Sequence, residues 1–146
     1  MPRGKWVLFD TNVYVAALRE GVRGAAFARI RESAPRTFLA SVVSAELRAG
    51  AVDQTGRSVV LELTDRFDRL GRIVTPEARS WSLAGDVLGD IRRREPGMRD
   101  KIARLWNDAL IALSARQISA SVVTGNVGDF ELLRRFVRFD LEPFET

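Results

Sequence analysis

The chain has 146 residues, enough for a proper hydrophobic core, and it contains neither cysteine nor histidine. Disulfides, thiolate chemistry, Cys/His zinc sites, Ser-His-Asp triads and histidine acid–base catalysis are thereby excluded. Twenty-three Lys+Arg against 19 Asp+Glu give a net charge of +4, and Lys5 and Lys101 are the only lysines. A surplus carried by arginine suits phosphate recognition through its planar fork of donors, and it is equally what an arginine-rich codon usage would leave.

The opening residues lead into only four apolar residues, too few for the apolar region of a signal peptide, and no stretch approaches membrane-spanning length. The expectation is a cytoplasmic protein with no membrane association.

Trp6 to Phe9 reads as a buried strand that runs straight into Asp10-Thr11-Asn12. Open α/β sheets place their chemistry at the carboxyl ends of strands, so this is a candidate site. A helix follows from Val13 to Leu18, broken at Gly21. Ala25 to Ser33 repeats the helical period through Phe27 and Ile30, and Pro35 closes it. Thr37 to Ala40 is a second strand. Ser41 suits the N-cap of a helix from Val42 to about Val52, whose apolar stripe through Val42, Val43 and Leu47 contains Glu46.

Ser58 to Leu70 reads as a further helix, and Arg72 to Thr75 as a short third strand. Pro76-Glu77 starts a helix that should carry Trp81, Ala84, Leu88 and Ile91 inward and end at Arg92-Arg93-Arg94. Those arginines suit a helix C-terminus, where cations meet the negative end of the dipole; the competing reading is an RNA contact. Pro96-Gly97 reads as a loop. A long helix from about Asp100 to Gln117 is apolar all round from Ala109 to Leu113, with Asp108 at the edge of that segment. Ser121 to Thr124 is a fourth strand, a short helix spans about Glu131 to Arg135, and Val137 to Phe139 reads as a fifth strand. Alternating strands and helices predict one α/β domain over residues 1–146, with parallel strands between helical layers.

Four carboxylates stand in marked positions: Asp10, Glu46, Asp108 and Asp129. Each has an ordinary explanation. Asp10 can cap the following helix, Glu46 can pair with a core arginine, Asp108 can bridge to Arg104 and Asp129 can cap the last short helix. Gathered together they would repel one another unless a cation sat among them, and oxygen ligands favour Mg²⁺ or Mn²⁺.

Four stretches in order carry a family resemblance. They are Val7-Leu8-Phe9-Asp10-Thr11-Asn12, Ser44-Ala45-Glu46-Leu47-Arg48-Ala49-Gly50, Asn107-Asp108-Ala109-Leu110-Ile111-Ala112 and Thr124-Gly125-Asn126-Val127-Gly128-Asp129-Phe130. The chain resembles PIN-domain ribonucleases, most of all the VapC-type toxins of bacterial toxin–antitoxin pairs. That resemblance implies a three-layer fold with a five-stranded parallel sheet in the order 3-2-1-4-5. It also implies Mg²⁺- or Mn²⁺-dependent RNA cleavage, a homodimer and inhibition by a cognate VapB-type antitoxin. Carried over by position, Asp10, Glu46, Asp108 and Asp129 become the metal-binding and catalytic acids, with Thr11, Asn12, Thr124 and Asn126 as supporting polar groups. Many relatives carry a basic residue where Gly125 stands, and the arginine run and residues 98–101 match no family motif. A haloacid-dehalogenase-like phosphatase would also end its first strand on Asp, but Asn12 removes the second aspartate of that chemistry. A PIN-like module that binds RNA or an antitoxin without cutting is the remaining alternative.

Overall fold

The computed structural model describes residues 5–145. Five parallel strands lie in the order β3-β2-β1-β4-β5, with β1 at Val7–Phe9, β2 at Thr37–Ala40, β3 at Ile73–Val74, β4 at Ser121–Thr124 and β5 at Asp140–Pro143. The first, second and fourth strands stand where apolar runs predict them. A parallel strand covered on both faces reads as continuous hydrophobicity, and Val7, Leu8, Phe9, Leu39, Val122 and Val123 are all buried.

Register places the ends of β1 and β4 side by side, Phe9 opposite Val123, and the backbone N–H of Asp10 continues the ladder to the carbonyl of Val123 at 2.9 Å. Crossovers leave β1 in opposite directions, toward β2 on one side and from β4 on the other. This is the topological switch point at which such sheets open a crevice.

Among the described residues seven helices flank the sheet: α1 Thr11–Glu20, α2 Ala25–Ser33, α3 Ser41–Gly50, α4 Gln54–Arg69, α5 Ala78–Arg94, α6 Ile102–Gln117 and α7 Val127–Arg134. The α1 helix begins at once after β1 because the Asp10 carboxylate accepts from the N–H of Thr11 at 2.8 Å; it ends at Gly21, whose φ of 82° a side chain would strain. At α3 the capping residue is Ala40, and Ser41 is already helical with no capping bond from its side chain. Asp53 caps α4 four residues earlier than the apolar period suggests, its carboxylate accepting from the Gly56 N–H at 2.6 Å. Pro96-Gly97, expected as a loop, opens a 3₁₀ run over Pro96–Lys101 that joins α5 directly to α6, which starts at Ile102 and not at about Asp100.

Two expectations need correction. The fifth strand is not Val137–Phe139 but Asp140–Pro143. Backbone bonds from Phe136 and Val137 to the Leu133 carbonyl continue the end of α7, while Phe139 is buried edge-on against Phe130 at 6.3 Å. The real strand looks polar because it lies at the edge of the sheet, where Pro143 needs no inward N–H. Trp81 is not inward but 52% exposed. The buried stripe of α5 runs through Ser80, Ala84, Val87, Leu88 and Ile91, one residue out of phase with the tryptophan. Ser80 can be buried there because its hydroxyl bonds the Gln117 side-chain carbonyl, which also accepts from the Glu77 N–H at 2.9 Å.

Candidate functional site

The site is built where β1 and β4 end. Asp10 is only 5% exposed, and each of its oxygens accepts a hydrogen bond. One accepts from the Thr11 N–H at 2.8 Å; the other accepts from the Thr124 hydroxyl at 2.7 Å and from the Asn12 amide at 3.1 Å. Burial raises the proton affinity of this carboxyl above the ordinary value, and the hydrogen bonds from Thr124 and Thr11 work against that rise.

Glu46, on the inner side of α3, is held from two directions. Its Oε1 accepts from the Thr11 hydroxyl at 2.7 Å and its Oε2 from the Asn107 amide at 3.2 Å. No arginine pairs with it among the described residues, so the core-pairing explanation fails, and its place on the apolar stripe serves to point it at α1 and α6. Asp108 enters from α6 and Asp129 from the first turn of α7. One side chain, Asn126, spans them, its Nδ2 donating to Asp108 Oδ2 at 3.4 Å and to Asp129 Oδ2 at 3.1 Å. The N-cap of α7 is Asn126 and not Asp129, which leaves the aspartate free to face the cluster. Arg104 is drawn to Asp129 at 3.7 Å, where its spacing on α6 had suggested Asp108.

The sheet thus brings all four predicted acids into one electrostatic neighbourhood. Asp108 shows it most plainly. Burial, then the charges of Asp10, Asp129 and Glu46, push its carboxyl up to about 7, with Arg104 opposing them. The four predicted polar groups are here too. Thr11 and Thr124 anchor Glu46 and Asp10; Asn12 ties Asp10 to the Gly125 N–H at 3.2 Å; Asn126 joins the remaining pair. Asn107 was not singled out as a site residue. Its only signal was its place beside Asp108, one helical turn from Arg104.

Among the described residues, no three acidic side chains close on a common point. Their amide and hydroxyl partners hold them a step apart. The donor set is nonetheless all oxygen and rich in carboxylate, and Asp108 meets three like-charged neighbours with only one distant guanidinium to offset them. Those are the ligands and the charge imbalance that a hard divalent cation satisfies.

In overall structure the chain is similar to the VapBC2 structure from Rickettsia felis bound to a DNA fragment from its promoter. The TM-score is 0.65 at 21% identity, covering 95% of this chain and 98% of the other. It is likewise similar to FitAcB from Neisseria gonorrhoeae, with TM-score 0.69, 22% identity and coverage of 92% and 95%. DNA-bound VapBC from Salmonella typhimurium matches with TM-score 0.66 and 19% identity over 96% and 98% of the two chains. No curated protein sequence matches. Residues 7–134 match the PIN domain, a span that runs from β1 through α7 and takes in all four carboxylates, and the chain belongs to the PIN-domain family.

Proposed function

We propose that the protein is an endoribonuclease dependent on Mg²⁺ or Mn²⁺, the toxin of a VapBC-type pair, working as a single domain in the cytoplasm. PIN domains are generally nucleases. The observation that carries the reading is the placement of Asp10, Glu46, Asp108 and Asp129 at one sheet end, tied together through Thr11, Asn107 and Asn126, with Asp108 pushed up to about 7 by burial first and then by the charges of the other three.

Asp10 and Asp108 would hold the cation most directly, with Glu46 and Asp129 completing its charge balance. A bound divalent ion supplies two things at such a centre, a water acidic enough to attack at neutral pH and a counter-charge for the phosphoryl oxygens. The remaining work falls to the chain. Thr124 and Asn12 fix the orientation of the Asp10 carboxylate, Thr11 and Asn107 clamp Glu46, and Asn126 sets the spacing between Asp108 and Asp129. Asp108, whose carboxyl burial and its neighbours raise to about 7, would bind a cation as the carboxylate, so that cation binding would release its proton.

Support for a protein partner comes from another face. An apolar groove of about 290 Å³ lies between α1, α2 and α4, lined by Tyr14, Leu18, Val22, Phe27, Ile30 and Leu63. Leu18, Val22 and Val59 are exposed around it, and the buried Tyr14 hydroxyl finds no partner among the described residues. Leu18 also lines a second cleft, and Glu46 is part of that lining. An apolar segment of an antitoxin seated in the groove would therefore lead to the edge of the carboxylate cluster. Two of the similar solved structures are of VapBC bound to DNA, the type of pair proposed here. A homodimer is part of the same proposal.

The test is cleavage by protein freed of any partner. RNA should be cut with Mg²⁺ or Mn²⁺, spared with chelator and spared by Asp10→Asn. Cutting that survives both treatments would sink the metal mechanism. RNA binding without cleavage would favour the non-catalytic module.

A further inference from the structure

The α5–α6 corner is the most cationic stretch of the chain, and neither the carboxylate site nor the apolar groove uses it. Residues 92–104 hold Arg92, Arg93, Arg94, Arg99, Lys101 and Arg104 against two acids, Glu95 and Asp100. Glu95 is already taken by Arg135 at 2.7 Å, which brings a seventh cation to the corner, and Arg93 is paired with Asp90. Arg92, Arg94, Arg99 and Lys101 are exposed and have no carboxylate partner among the described residues. A helix dipole accounts for cations in the last turn of α5, where its effect is confined. It does not account for Arg99 and Lys101, which lie beyond that turn. The 3₁₀ run folds Arg99 back, its Nε donating to the Arg92 carbonyl at 3.5 Å, so the charges are gathered and not strung out.

The corner leads into the site. Arg104, at the start of α6, reaches Asp129, and Asp108 is one turn further along the same helix. Trp106 lies on the opposite side of α6 from this line, packed over Gly85 of α5 and tilted against Trp81, so the corner itself is purely cationic. Unpartnered guanidinium forks leading to the proposed nuclease centre suit a phosphate backbone better than an acidic peptide.

We propose that Arg92, Arg94, Arg99 and Lys101 hold the phosphate backbone of a single-stranded nucleic acid as it enters the carboxylate centre. This rests on the nuclease reading and deepens it. It also places the phosphate contact away from Gly125, where this chain lacks a side chain.

The experiment is fluorescence anisotropy with a labelled single-stranded RNA of mixed sequence, in chelator to prevent turnover, over a series of salt concentrations. Replacing the four cations with glutamine should weaken binding at least tenfold and flatten the log–log salt slope by about 3, at roughly 0.7 per phosphate contact. A control with Arg19, Arg23, Arg79 and Arg116 replaced by glutamine removes the same charge elsewhere and should bind nearly as the wild type does. Unchanged affinity and slope in the corner variant, or an equal loss in the control, overturns the proposal. Where the wild type cleaves RNA, that result overturns this inference alone; a wild type that neither binds nor cleaves RNA overturns the nuclease reading with it. Binding of a labelled acidic peptide, but not RNA, at the corner overturns it in favour of a protein partner.

Discussion

Thr124 donates its hydroxyl to the inner oxygen of Asp10 at 2.7 Å, tying the end of β4 to the end of β1. Both residues are buried, and the same hydroxyl accepts from the Asn126 N–H at 2.8 Å, so one side chain orients a carboxylate and starts α7. Thr124→Val keeps the shape and removes both bonds. A buried hydrogen bond to a charged group contributes about 1.5–3 kcal/mol, so urea unfolding should show a loss of that order. Cleavage should fall as well, because Asp10 loses a partner that lowers its proton affinity.

Asn126 and Asn107 position the acids without belonging to them. Asn126→Ala frees Asp108 from Asp129, and Asn107→Ala frees one oxygen of Glu46. Losses at partners of this kind run to about 10–100-fold in metal affinity or activity. We expect a fall in that range for each variant, with a smaller one at Asn107 because it is exposed. Metal titrations followed by cleavage rates would check it; an Asn126→Ala enzyme with unchanged metal dependence would count against the positioning role.

The raised proton affinity of Asp108 makes the metal-free fold sensitive to pH. Its carboxyl stands at about 7 in the folded protein against 3.8 unfolded, so the folded state binds the proton more tightly. Stability contributed by that proton is fully present below about pH 4 and is lost as pH rises through about 7. Thermal melts in chelator should therefore give a lower Tm at pH 8 than at pH 5. Asp108→Asn should flatten that dependence and raise the Tm at pH 8 by several degrees. Added Mg²⁺ should stabilise the wild type more at pH 8 than at pH 5, since the ion competes with the proton.

Gly85 and Gly89 lie inside α5, where each costs up to about 1 kcal/mol relative to alanine. A Cβ at Gly85 would meet only the Trp106 ring at 3.8 Å, which is ordinary contact. Gly85→Ala should raise unfolding stability by about 0.5–1 kcal/mol. Destabilisation would mean that the Trp106 ring leaves less room at Gly85 than a 3.8 Å contact allows.

What could be read from the sequence follows burial. Strands β1, β2 and β4 are covered on both faces and announce themselves as apolar runs, whereas β5 is an edge strand whose Asp140, Glu142 and Pro143 look like a tail. Asp10 and Glu46 were legible because a carboxylate at a strand end or on an apolar stripe is out of place. Asn107 was not, because an exposed asparagine on a helix looks ordinary until Glu46 is brought to it from α3. Trp81 misled because its spacing keeps step with Ala84, Leu88 and Ile91, while the buried stripe of α5 is completed by Ser80 and Val87.

The central claim is that the four carboxylates form one binding centre for a divalent cation. Electron paramagnetic resonance of free Mn²⁺ during titration with the purified protein tests it directly. The account predicts that the wild type depletes the free-ion signal, and that Asp10→Asn and Asp108→Asn each do so at least tenfold more weakly while remaining folded by circular dichroism. Depletion by both variants equal to that of the wild type would contradict it.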